Sequence, residues 1–164
     1  MPDREPGPDG VVWPEDLVAG TVIDLGGHTV TKEEIVRFAA DWDPQPIHLD
    51  DDYAATREFG EIIASGVHTL GVFQRLAVLG AYRRWPVIAG RAIRDVQLTH
   101  AVRAGATLRG EIEIAAVRLT DEARALLTTH GRLFVGDRQA LRITTDAYLR
   151  RRPPEAAPAV RGAE

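Results

Sequence analysis

Apolar and polar residues alternate along the second half of the chain. In the segment from Ala92 to Val102, Val96, Leu98, His100 and Val102 share one face, with Asp95, Gln97 and Thr99 on the other. Leu108, Gly110, Ile112, Ile114 and Ala116 lie opposite Arg109, Glu111 and Glu113. Leu127, Thr129, Gly131, Leu133 and Val135 form a third apolar set, and Leu141, Ile143, Thr145, Ala147 and Leu149 a fourth. A period of two in each segment predicts strands with one buried face. Short links, such as Gly136 to Gln139, make neighbouring strands antiparallel.

The first half follows a different period. Thr21 to Val30 predicts a strand or hairpin broken at Gly26-Gly27, a turn with no phosphate-loop pattern after it. Thr31 and Glu34 have the spacing of a capping box, so a helix carrying Ile35, Val36, Phe38 and Ala39 starts there. It must end near Trp42, because Pro44 disfavours helical backbone at Asp43. A loop crosses Pro44 and Pro46, Asp50 caps a short helix over 51–57, and Phe59-Gly60 closes it. The longest helical pattern runs from Ser65 to about Arg84, roughly 30 Å at ~1.5 Å per residue. Val67, Leu70, Val72, Phe73, Leu76, Ala77, Val78 and Leu79 leave it apolar nearly all round, so it needs a wrapper. The expected fold class is α+β: an antiparallel sheet curled around a long central helix.

Composition narrows this further. The chain has 164 residues, enough for one domain, expected over residues 11–150. Of ten prolines, six fall in residues 1–10 and 151–164, which read as flexible tails. The absence of cysteine removes disulfides, thiol nucleophiles and cysteine metal sites, and is compatible with a reducing cytoplasm, the expected location. No apolar run is long enough to span a membrane, and the first ten residues lack the apolar core of a signal peptide. A net charge of −4 gives no electrostatic reason to bind nucleic acid. The basic run Arg150-Arg151-Arg152 reads as a solvated terminus.

The candidate chemistry lies in the proline-rich loop of the body, Asp41-Trp42-Asp43-Pro44-Gln45-Pro46-Ile47-His48-Leu49-Asp50. Two prolines stiffen a loop that can hold Asp43 against His48 as a general acid/base pair. Alternatively, Asp43 caps a turn and His48 is semi-buried. Trp42 reads as a core or interface residue. A second feature is Ser65-Gly66 at the head of the long helix, where unpaired N–H groups can hold an oxyanion. The plainer reading makes Ser65 an N-cap and Gly66 a site of close packing. His68 either lines a pocket or bonds within the core. His28, His100 and His130 lie on separate predicted strands as structural residues, and their spacing matches no metal site.

Together these features resemble the MaoC-like dehydratases, or (R)-specific enoyl-CoA hydratases, of the hot-dog fold. The resemblance rests on Asp43, Gln45-Pro46, His48, Asp50, Ala54, Phe59-Gly60 and Ala64-Ser65-Gly66, in order and at compatible spacing, with Gly105 downstream. It implies a single hot-dog domain, a homodimer, and hydration of an enoyl thioester or dehydration of a 3-hydroxyacyl thioester. Carried over, Asp43 and His48 are the acid/base pair and the Gly66 N–H is the oxyanion donor. Trp42, Pro46, Ser65 and His68 then surround the substrate, a coenzyme A or carrier-protein thioester, and no metal or other cofactor is needed. The chain departs from the family pattern at Gln45 (usually Asn), at Ser65 (often His) and at Gln74 (commonly Ser). Ala101 and Ala106 likewise replace a Pro and an Asp. A hot-dog thioesterase and a non-catalytic acyl-binding partner subunit are the competing readings.

Overall fold

Five antiparallel strands pair in the order β1-β3-β4-β5-β2 in a computed structural model that describes residues 10–154. The strands are β1 (Val22–Thr29), β2 (Val87–Leu98), β3 (Thr107–Leu119), β4 (Arg124–Val135) and β5 (Arg138–Arg150). Consecutive hairpins join β3, β4 and β5, while β1 and β2 form the two edges. Helices α1 (Lys32–Trp42), α2 (Pro46–Leu49) and α3 (Asp51–Ala55) lead into the central helix α4 (Gly66–Gly80). This is the hot-dog arrangement of a sheet around one helix. The expected tails fall largely outside the described residues.

The inward residues of β3, β4 and β5 form the core with α4. Leu108, Ile112, Ile114, Leu133, Leu141 and Leu149 are fully buried, as is Phe73 of α4. Burying each such side chain contributes about 1.5–3 kcal/mol. Glycines let the layers approach: a Cβ on Gly131 of β4 would overlap the Phe73 ring and lie 2.8 Å from Ile143 Cγ2.

Several local expectations need correction. The Gly26-Gly27 pair is not a turn but a β-bulge inside one strand, with Gly26 at φ +75° and its N–H donating to Asp24 Oδ1 at 2.9 Å. The central helix stops at Gly80, about 22 Å from its start. Its backbone breaks at Ala81 (φ −138°, ψ −59°), and Tyr82–Arg84 form a 3-10 turn. A Cβ on Gly80 would lie 2.9 Å from Leu25 Cα, so the helix ends where β1 crosses it. The helix is also not wrapped all round, because Val67, Val78 and Leu79 are exposed on its open side.

The strand expected at Ala92–Val102 begins earlier and stops at Leu98, leaving His100 in a bend rather than on a strand. Of its expected inner face, Val96 and Leu98 are exposed, as befits an edge strand paired only with β5, while Val102 is buried beyond the strand's end. Ile93 is exposed as well. Three register shifts against β5 interrupt it, and Asp95 takes a left-handed φ of +54° at the last. Arg151 and Arg152 are not free either. The Arg151 guanidinium lies 3.0 Å from Glu15 and donates to the Asp121 carbonyl at 2.7 Å, and Arg152 pairs with Asp16.

Candidate active site

The end of α1 starts the site. Thr31 and Glu34 form the capping box at its beginning, and at its end Asp43 leaves helical backbone while its N–H still bonds Ala39 O. Pro44 prevents a further turn. Pro46 then opens α2 at the first helical position, where its missing N–H costs nothing. The loop thus spans only Asp43 to Gln45, and His48 sits on a one-turn helix rather than in the loop.

His48 is 6% exposed, and its Nδ1 lies 2.7 Å from the Ile63 carbonyl oxygen. A carbonyl only accepts, so Nδ1 carries the hydrogen and Nε2 of the neutral ring is an acceptor. Nε2 faces Asp43 Oδ2 at 3.6 Å. That is beyond hydrogen-bond reach, so the two atoms do not bond each other directly.

The Ile63 carbonyl is held by a short antiparallel bridge to a later segment of the same chain. Ile63 bridges Arg103, Ala64 N–H donates to Val102 O at 2.8 Å, and Arg103 ties the preceding loop through Phe59 O and Glu61. Arg103 and this carbonyl have no counterpart in the sequence reading; a backbone acceptor leaves no residue signature.

Asp43 is fixed at both oxygens: Gln45 Nε2 donates to Oδ1 at 2.7 Å and Ser65 Oγ to Oδ2 at 2.5 Å. The Ser65 hydroxyl, then the Gln45 amide, then the field of His48 hold the Asp43 carboxyl below its usual value. Ser65, itself 1% exposed, is also the N-cap of α4 and accepts the Val67 N–H at 3.2 Å. Gly66 follows as the first helical residue, whose N–H has no acceptor within the helix. It also serves close packing, since a Cβ there would collide with the Leu98 side chain of β2. The structure therefore brings Asp43, Pro46, His48, Ser65 and Gly66 together.

Trp42 and His68 belong to a neighbouring cavity of about 190 Å³ between α1 and α4, shared with Glu34, Arg37, Phe38 and Asp41. Trp42 does not pack in the core: it stands on the last turn of α1 with 74% of its surface exposed. His68 stacks on Phe38 with ring centroids 4.6 Å apart, its Nδ1 has no partner, and burial lowers its pKa. A larger cavity of about 620 Å³ lies along the open side of α4 beside β2, lined by Gln74, Trp85, Ile93 and Leu149 among others. Tyr82, Thr129 and Thr145 also line it, their hydroxyls 2.7–3.4 Å apart. No group of three or more His, Asp or Glu among the described residues is placed to hold a metal ion.

Residues 18–132 match the family model described as "MaoC like domain". A MaoC-like dehydratase from Rhodospirillum rubrum is 29% identical, with a TM-score of 0.78 over 87% of this chain and 99% of that one. The (R)-hydratase from A. caviae involved in PHA biosynthesis is 25% identical, with a TM-score of 0.66 over 83% and 98%. An uncharacterized protein of Bacillus subtilis, YdeM, is 34% identical over 76 residues. That match spans 46% of this chain and about half, 54%, of the curated relative.

Proposed function

Because the chain belongs to the MaoC-like family, we propose that it is a hydro-lyase, adding water to an enoyl thioester or removing it from a 3-hydroxyacyl thioester. The observation that carries this reading is the 3.6 Å gap between His48 Nε2 and Asp43 Oδ2. Two acceptors at that separation are bridged by one water molecule donating a hydrogen to each, whereas the 3-hydroxyl of a substrate, with one hydrogen, donates to one of the two.

In the hydration direction His48 Nε2 takes a proton from that water as its oxygen bonds C3. The thioester carbonyl gathers negative charge, and the Gly66 N–H at the head of α4 holds it, an interaction worth ~3 kcal/mol in a preorganised site. A proton passes from the pair to C2, so hydroxide and proton add across one double bond. Asp43, held as a carboxylate, orients the water and offsets the charge on His48. The scheme needs no metal or redox cofactor. The acyl group extends along the open side of α4 toward the larger cavity, and a second copy of the chain covers that side through the free edge of β2. The thioester carrier is coenzyme A or a carrier protein, and the setting is the cytoplasm.

The test is loss of the conjugated enoyl-thioester absorbance with crotonyl-CoA, for wild type, Asp43→Asn and His48→Ala. Each substitution is expected to cost about 10²–10⁴-fold. Wild-type turnover in both variants overturns the assignment of the pair. Free thiol released without hydration marks a thioesterase instead, and binding without turnover a non-catalytic subunit.

A further inference from the structure

We propose that Ser65 is a positioning residue, tying the Asp43 carboxylate to the head of α4 and keeping Oδ2 directed at His48 Nε2. The importance given to Asp43 rests on the hydro-lyase reading; the contact itself does not.

The direction of each bond follows from the inventory of hydrogens. Val67 N–H can only donate, so Ser65 Oγ accepts there, at 3.2 Å. An ionised carboxylate can only accept, so the single Ser65 hydrogen goes to Asp43 Oδ2, at 2.5 Å. The result is a one-way relay, Val67 N–H to Ser65 O–H to Asp43, aligned with the positive end of α4. It joins the last residue held by α1 to the first held by α4, 22 positions apart in the chain.

Two details favour Ser65 over Gln45 as the fixing group. Ser65 is 1% exposed, so water does not compete for its hydroxyl, whereas Gln45 is a surface residue whose amide exchanges with solvent. Ser65 also binds the same oxygen that faces His48, so it sets the geometry of the gap itself. Its bond is the largest influence holding the Asp43 carboxyl low. Charged and titratable groups on the elements meeting here include Arg37 and Asp41 on α1, His48 and Asp50 around α2, and Glu61 and His68 about the start of α4. Among them the field of His48 acts on Asp43 in the same direction as the Ser65 bond.

The experiment is a ¹³Cγ-aspartate NMR titration of the full chain, without substrate, for wild type, Ser65→Ala, Ser65→Gly and Ser65→Thr. Glycine remains an acceptable N-cap, so Ser65→Gly removes the hydroxyl while sparing the helix start. In wild type the Asp43 signal should titrate below the ordinary aspartate range. In Ser65→Ala and Ser65→Gly it should rise toward that range, and in Ser65→Thr it should return. In the crotonyl-CoA assay the first two variants should lose about tenfold or more in kcat and the third should recover it. An Asp43 titration unchanged in both hydroxyl-less variants overturns the proposal. Wild-type protein without hydratase activity counts against the hydro-lyase reading alone, since the titration is read without turnover.

Discussion

Replacing Gly80 by alanine sets two effects of opposite sign against each other. Alanine in a helix is favoured over glycine by up to about 1 kcal/mol. The new Cβ, however, would lie 2.9 Å from Leu25 Cα, 2.9 Å from Leu25 Cδ2 and 3.3 Å from Leu25 Cβ. Carbon atoms rest at roughly 3.5–4.0 Å, so the overlap with the strand backbone is ~0.6–1.1 Å. A rotamer change can remove the clash with Cδ2 but not the one with Cα, so β1 or the end of α4 must move. Overpacking of this kind costs ~1–3 kcal/mol, which exceeds the propensity gain, and the net loss is about 0.5–2 kcal/mol. For a domain of this size that lowers Tm by roughly 1–8 °C. Gly71 of the same helix is the control: nothing lies within 4 Å of its added Cβ, so Gly71→Ala should gain stability. Urea midpoints and thermal melts of the two variants measure the balance. Leu25→Val should not rescue Gly80→Ala, because the backbone contact remains. A Gly80→Ala protein as stable as wild type would refute the packing of α4 on β1 described above.

Two further outcomes are expected. Asp146 is nearly buried and receives the Arg94 guanidinium at 2.8–3.1 Å, which with Thr128 holds its carboxyl below the usual value. A depressed carboxyl stabilises the fold above its unfolded pKa near 3.8 and loses that contribution as pH falls through its folded value. Asp146→Asn should therefore cost about 1–3 kcal/mol at neutral pH, with the gap to wild type closing in strong acid, as read from urea midpoints across pH. The other concerns the free edge of β2, where Ile93 is 60% and Leu98 52% exposed. Wild type should sediment as a dimer and Ile93→Asp/Leu98→Asp as a folded monomer; a monomeric wild type removes the proposed second copy.

The parts of the fold legible in the sequence are those where one physical requirement acts on local residues. β3 as far as Ile114 and β4 from Leu127 to Leu133 bury every second residue, so their period of two is plain in the sequence. A register shift, by contrast, turns Ala116 outward, and β5 buries Thr144 and Asp146 on its second face as well. The caps of α1 and α3 are local as well, made by Thr31 with Glu34 and by Asp50. The errors arise where a distant segment decides. α4 ends at Gly80 because β1 passes there, although apolar residues continue to Trp85. Gly26-Gly27 permits a turn as readily as the bulge that the strand adopts. β2 alternates without a layer to cover it, so its pattern suggested a burial that a single chain does not supply. At the site, the two prolines left an Asp43–His48 pair open beside a plain capping role for Asp43, and the resemblance of the wider motif selected the pair. The Ile63 carbonyl that sets the histidine tautomer, and the second duty of Ser65, depend on contacts across the fold.

The strand order also bears on how the chain folds. The β3-β4-β5 meander is built from hairpins between sequence neighbours, so it closes short loops and is the cheapest part to assemble. Both edges demand much longer closures, Thr29 meeting Thr107 and Val87 meeting Leu149. The segment that carries Asp43 and His48 follows β1 and α1 and ends at the bridge between Ile63 and Arg103, so it is fixed only after the chain has returned from the far edge. A partly folded chain would protect the amides of β4 from exchange while Asp43 and His48 still lay apart.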